Sequence, residues 1–200
     1  YRPIIGDLTS ISSAYTFGIL RDRQDEIWVY TNTGGINRFD PASGRFEHYT
    51  SENGLVNDIV YGMVEDQEGY FWLTTNNGLA RFDPAEEKFI DFDVNDGLPT
   101  NEFNFNGTYQ NDAGEIFLAS QNGVTSFFPL SYVVPESSPI IQFTEFLVHT
   151  GEETVTIPIS KNIALKHNQN AVQISFAVMD FLNPFKNTFE FKLDNYDKTW

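Results

Sequence analysis

Two runs of carboxylates stand out as candidates for chemistry. They are Arg21-Asp22-Arg23-Gln24-Asp25-Glu26 and Glu65-Asp66-Gln67-Glu68. An acid/base pair needs two such groups held in unlike environments. Both runs fall at polar hairpin tips, where carboxylates are expected to be solvated. Asp93-Val94-Asn95-Asp96-Gly97 has the composition of a calcium loop. That loop requires Asp-x-Asn-x-Asp-Gly and a Glu at its twelfth position. Here one residue is missing before Gly97 and the twelfth position is Asn104, so the stretch is read as a turn between repeats. His48, His149 and His167 are far apart and share no motif. No Ser-His-Asp, HExxH or phosphate-loop arrangement is present. The sequence therefore points to no catalytic residue, no metal site and no cofactor.

The elements that would position any site follow from a repeat. Glu65-Asp66-Gln67-Glu68-Gly69-Tyr70-Phe71-Trp72-Leu73-Thr74-Thr75-Asn76-Asn77-Gly78-Leu79-Ala80-Arg81-Phe82-Asp83-Pro84 reads as strand, turn, strand, turn, strand. Asn77-Gly78 predicts a type I′ hairpin turn, which needs φ > 0 at both central residues. The phrase recurs, more weakly, at Arg21–Pro41 and Asn111–Pro129, and it places Trp28, Trp72 and Phe117 44 and 45 residues apart. An all-strand repeat of roughly 40–50 residues is the signature of propeller blades. Trp28 and Trp72 could be sugar-stacking platforms, but their fixed repeat position inside a strand predicts packing between blades, with Phe117 mostly buried at the equivalent position.

The predicted fold is all-β: a partial β-propeller of about three four-stranded blades, then the first part of an Ig/fibronectin-like β-sandwich. Repeats cover 15–54, 55–97 and 98–128 within a propeller segment 1–128. Expected strands are Thr16–Leu20, Ile27–Thr31, Ile36–Phe39 and Phe46–Tyr49; Ile59–Val64, Phe71–Thr75, Leu79–Phe82 and Phe89–Phe92; then Phe105–Tyr109, Glu115–Ala119 and Val124–Phe127. No fourth strand is evident in the third repeat, where prolines interrupt the chain. Three blades cannot close a ring, so further blades are expected before Tyr1. Residues 129–139 have a stiff proline/serine linker composition. In 140–200, strands are expected at Ile140–Val148, Val155–Ile159, Val172–Val178 and Phe189–Leu193. The last two alternate apolar and polar, as in a sheet with one wet face.

Composition restricts the partners. Net charge is −16, which argues against nucleic acid and anionic membrane, since both call for basic patches. Absence of cysteine removes any disulfide framework. No apolar run reaches the roughly 18 residues of a membrane span. The start, Tyr1-Arg2-Pro3-Ile4-Ile5-Gly6, lacks a signal-peptide layout. Any membrane attachment is expected through segments outside this chain.

One distribution leans toward binding. In a blade, the loops joining strands two and three, and strand four to the next blade, open on one face. That face holds Asn32, Asn57, Asn76, Asn95, Asn101 and Gln121 as candidate ligand contacts. Amides present donor and acceptor together, which suits a neutral polyhydroxylated ligand. Asn53, Asn77 and Asn122 precede glycines and are accounted for by the tolerance of Asn for left-handed backbone in turns.

The phrase Glu65–Pro84 resembles the two-component regulator propeller repeat. Phe189-Glu190-Phe191-Lys192-Leu193-Asp194-Asn195-Tyr196-Asp197-Lys198-Thr199-Trp200 is similar to the start of the triple-tyrosine domain that follows such propellers, with aromatic-for-aromatic substitutions. The resemblance implies a periplasmic ectodomain of a membrane-bound bacterial sensor. Its output domain would be a histidine kinase or diguanylate cyclase. It also implies an oligosaccharide or small polar ligand and a homodimer formed through the sandwich. It carries no catalytic residue to this segment. The rival readings are an interaction scaffold and a propeller enzyme acting on glycans.

Overall fold

The computed structural model describes residues 1–129, 140–150, 153–160, 162–167, 169, 171–179 and 189–193. The chain divides into two compact units, Tyr1–Val134 and Pro135–Trp200. The first unit holds three antiparallel sheets. β1 (Thr16–Arg21), β2 (Ile27–Thr31), β3 (Ile36–Asp40) and β4 (Arg45–Tyr49) pair in sequence order. So do β5 (Val60–Glu65), β6 (Phe71–Thr75), β7 (Gly78–Asp83) and β8 (Lys88–Phe92). The third sheet has β9 (Phe103–Gln110), β10 (Ile116–Ser120) and β11 (Gly123–Phe127). Sequential antiparallel pairing is the meander of a propeller blade, and the first strand of each sheet is the inner one.

The tryptophans sit between blades. Trp28 is fully buried and meets Phe71 and Phe82 of the second blade edge-on, with centroids 4.9 and 5.8 Å away. Trp72 is 2% exposed, stacks on Phe92 at 5.5 Å and meets Phe127 of the third blade at 4.7 Å. Phe117 occupies the equivalent position and is covered less completely than the tryptophans. It projects from the third blade, and among the described residues no fourth blade follows to cover it. Residues 1–14 cover the outer side of the first blade: Ile11 joins Val29 and Phe46 in a small core, and Tyr1 contacts Phe39 and Phe46.

The hairpin-tip carboxylates are corrected by the structure. Asp22 and Asp66 are buried, 6% and 1% exposed. Each Oδ2 accepts the indole N–H of its own blade's tryptophan, Trp28 or Trp72, at 2.8 Å. Each Oδ1 accepts two backbone N–H groups of the turn: Gln24 and Glu26 for Asp22, Glu68 and Tyr70 for Asp66. The carboxylate is satisfied on both oxygens, which is what its burial requires.

The hairpin turns also differ from expectation. Left-handed φ occurs at Gly35, Gly78 and Gly123, and not at the residues before them. The type I′ turn expected at Asn77-Gly78 is therefore excluded, because Asn77 does not take positive φ. The glycine alone takes the left-handed position, as in a turn closed by a glycine bulge. The tolerance of Asn for left-handed backbone thus does not explain Asn53, Asn77 or Asn122.

The second unit contains a three-stranded antiparallel sheet, order β13-β12-β14, formed by Ile140–Thr150 (β12), Glu153–Thr156 (β13) and Ala171–Met179 (β14). Val148 is fully buried, while Val172, Ile174 and Phe176 are between 43% and 49% exposed. Phe189–Leu193 is irregular rather than a strand, and Phe191 is 93% exposed. The alternation is present, but no pairing strand lies beside it among the described residues, and an unpaired strand leaves its backbone unsatisfied. The linker residues 130–139 and the motif residues 194–200 lie outside the described residues.

Candidate functional site

The proposed loop face is built from the β2–β3, β4–β5, β6–β7, β8–β9 and β10–β11 connections. Each connection between blades contains a capped one-turn 3-10 helix. Thr50 caps Ser51–Asn53 and Asp93 caps Val94–Asp96, with Gly54 and Gly97 closing them at φ 101° and 99°. Asp93 and Asp96 each spend an oxygen on turn N–H groups, from Asn95 at 2.7 Å and Asp93 at 2.8 Å. These contacts belong to a turn rather than to an ion site.

The six candidate amides divide by what holds them. Asn57 Oδ1 accepts from Ile59 N–H and Asn101 Oδ1 from Val94 N–H, each at 2.9 Å. Both residues are half-buried and organise the loops. Asn32 is half-buried, and its backbone N–H reaches the Tyr15 carbonyl at 2.9 Å. Asn95 is an exposed member of the second 3-10 turn. Gln121 is exposed and donates to Glu102 at 3.2 Å. Asn76 is the one tied to an inner strand: exposed itself, it accepts the Tyr61 hydroxyl at 2.9 Å.

That bond leads to a feature that motif and composition do not reveal. Every inner strand carries a bulge near its start. In β1 the register shifts between Thr16 and Gly18, leaving Phe17 as the extra residue. In β5 it shifts between Val60 and Gly62, leaving Tyr61. In β9 the pairing passes from Phe103↔Ser120 to Thr108↔Leu118, so a longer stretch containing Asn104-Phe105-Asn106 bows out. Bulges re-aim side chains and are enriched beside sites. The three aromatics converge: Phe17 stacks on Tyr61 at 6.0 Å and meets Phe105 edge-on at 4.7 Å. Phe105 is 52% exposed. Asn106 takes a left-handed φ of 53°, a costly conformation for a non-glycine residue in a strand. Its Oδ1 accepts the Tyr30 hydroxyl at 3.3 Å. Burial raises the Tyr30 pKa, so its hydroxyl stays protonated as a donor across neutral pH. Gly18 permits this reach, since a Cβ there would lie 2.1 Å from the Tyr30 hydroxyl. The available signal in the sequence was the even spacing of Phe17, Tyr61 and Phe105, 44 residues each.

At the opposite end of β5, Glu65 is partly buried. Desolvation raises its carboxyl pKa, although its Oε2 accepts the Arg23 N–H at 3.0 Å. Its Oε1 has no hydrogen-bond partner among the described residues. Among the described residues, no cluster of His, Asp and Glu could hold a metal.

Comparison with known proteins bears on this geometry. Residues 54–77 match the model of the two-component regulator propeller. The matched residues contain β5 and β6 of the second blade. Histidine kinase P4 of Formosa agariphila is 24% identical over 157 residues, covering 74% of this chain and 12% of the relative. The extracellular domain assigned to a hybrid two-component system of B. thetaiotaomicron aligns with TM-score 0.65 and 24% identity, over 84% of this chain and 24% of that one. This likeness establishes the fold. A second such domain from B. thetaiotaomicron aligns at TM-score 0.41 and 15% identity, too weakly to bear on fold or function. The chain thus spans about an eighth of the curated relative and a quarter of the first structure.

Proposed function

We propose that these residues belong to the extracytoplasmic, ligand-receiving region of a membrane-bound bacterial signalling protein, with a periplasmic location. The observation that carries the reading is the regulator-propeller repeat at 54–77 within a stack of three like blades. The kinase relative and the extracellular placement of the structural neighbour support it. The ligand is an oligosaccharide or another polar molecule taken up on the loop face. The segment itself is non-catalytic, and its carboxylates at the hairpin tips serve the fold. The second unit passes the binding event on as a homodimer, toward membrane segments outside this chain.

A blade packed on two neighbours is a stiff body. Binding can bias signalling only through different affinity for two arrangements of something that moves. Titration calorimetry of the full-length protein against neutral and charged oligosaccharides, with a hydrolysis assay alongside, tests the reading. Saturable binding without turnover is expected. Turnover of a glycan by residues of this chain overturns it, as does binding that survives deletion of the three blades.

A further inference from the structure

We propose that the bulged aromatics of the three inner strands, Phe17, Tyr61 and Phe105, form a sugar-stacking site. Its ligand is a neutral pyranose-based oligosaccharide, held at its hydroxyls by the amides of Asn76 and Asn106. The proposal rests on the ligand-receiving reading above and names its site and ligand class.

Three observations carry it. First, the same repeat position bears an aromatic ring in every blade, and each time it sits on a bulge. A ring needed only for packing between blades would stay in the ladder, as Trp28 and Trp72 do. Phe17 meets both other rings, and Phe105 still exposes about half its surface.

Second, the polar groups around the rings are arranged as paired amides with spare capacity. Asn76 and Asn106 each accept a tyrosine hydroxyl through Oδ1. That contact fixes the amide plane. It leaves both Nδ2–H donors of each residue without a partner among the described residues. Oriented amide donors beside an aromatic face match a pyranose ring, whose C–H face is apolar and whose edge carries hydroxyl acceptors. The left-handed Asn106 fits this role. Strained backbone of this kind clusters at ligand sites, where the surroundings hold a side chain in a needed place.

Third, the stretches Tyr15-Thr16-Phe17-Gly18, Ile59-Val60-Tyr61-Gly62 and Asn104-Phe105-Asn106-Gly107-Thr108 contain no charged residue, in a chain of net charge −16. A sulfated or uronate glycan would find no cation there and would meet the acidic field of the whole chain. A neutral glycan avoids both costs.

The test uses the full-length protein. Titration calorimetry is run with pentasaccharides of β-1,4-glucose, β-1,3-glucose, β-1,4-xylose and β-1,4-mannose. A heparin-derived and a galacturonate oligosaccharide serve as charged arms. Saturable binding of at least one neutral glycan is expected. Phe105→Leu keeps apolar volume and removes the ring face, and should weaken that binding at least tenfold. Asn76→Ala should weaken it several-fold with no change in Tm, since Asn76 is exposed. Phe105→Tyr should bind within a fewfold of the parent, which separates a lost platform from a lost fold. If neutral binding is unchanged in both Phe105→Leu and Asn76→Ala, the site is wrong while the receptor reading stands. If only the charged glycans bind, the ligand class is wrong. If no glycan of the panel binds, the proposed site falls together with the glycan part of the receptor reading.

Discussion

The second and third blades use one backbone plan with two sets of side chains. In the second, a buried Asp66 joins the turn to Trp72. In the third, Asn111 holds the same turn through its Oδ1, accepting from Ala113 and Glu115 N–H at 3.0 and 2.9 Å. Phe117 stands where the tryptophan would be, with no indole N–H to offer. The two replacements belong together. An indole N–H without an acceptor, or a buried carboxylate oxygen without a donor, would each cost more than the bond returns. Just upstream, partly buried Glu65 in the second blade corresponds to Gln110 in the third. Both of these exchanges, Asp66 to Asn111 and Glu65 to Gln110, remove a carboxylate from the third blade. Asp66 has donors on both oxygens, from the turn and from the indole. Among the described residues, Glu65 has a partner on one oxygen only.

The largest effect is expected from Trp72→Ala. Removing a fully packed indole between blades should cost about 3–5 kcal/mol, and the loss should exceed that for Phe117→Ala, whose ring is only half-buried. Urea unfolding of both variants decides it. Equal losses would mean that the tryptophan is not the joint between blades.

Asp66→Asn makes half of the exchange that separates the two blades. The amide still accepts turn N–H groups, but its own N–H₂ would face the Trp72 indole donor. A loss of about 1–3 kcal/mol is expected. Adding Trp72→Phe completes the third blade's solution. The double variant should lose less than the two single losses combined, with a coupling of about 0.5–3 kcal/mol. Strict additivity would show that the two residues act independently.

Gly62→Ala probes what the blades share. Gly62 has ordinary φ, so only space is at issue. A Cβ would lie 2.6 Å from Thr108 Cγ2 and 3.0 Å from Thr74 Oγ1. The crowding outweighs the usual gain of replacing a strand glycine, which is about 0.5–1 kcal/mol. A net loss of about 1 kcal/mol is expected in thermal unfolding.

The smallest effect is at Glu65. Burial raises its carboxyl pKa in the fold, so the native state binds a proton more readily than the unfolded chain. The group therefore costs stability once pH rises above its unfolded pKa, and the full cost is reached above the folded one. Glu65→Gln, the third blade's residue, should raise Tm at pH 7 and leave it nearly unchanged at pH 4. A Tm gain of equal size at both values would exclude the ionisation as its cause.

How much of this was legible varies by element. β2 and β6 have the predicted bounds, because dense β-branched and aromatic runs between turn residues leave little choice of register. The blade spacing followed from the recurring tryptophan phrase. Asp22 and Asp66 were misplaced as solvated. A carboxylate at a hairpin tip looks polar in one dimension, and only the fold brings an indole from the next strand to meet it. Phe189–Leu193 shows the opposite limit, since its alternation describes a strand that still needs a neighbour. Among the candidate amides, Asn57 and Asn101 turned out to bind their own loops, whereas Asn76 connects the loop face to an inner strand.

By itself the sequence determined an all-β chain, its repeat length, the order of its strands and the absence of recognisable catalytic motifs. Each of these is carried by local patterning, which adjacent residues encode. The tertiary structure decided which polar residues are buried, which turn the glycines close, and that three evenly spaced aromatics leave their ladders to meet. Those outcomes depend on contacts between residues about forty positions apart or on separate strands. Asp66 and Trp72 are only six residues apart, but the cover that buries them comes from other strands and the next blade.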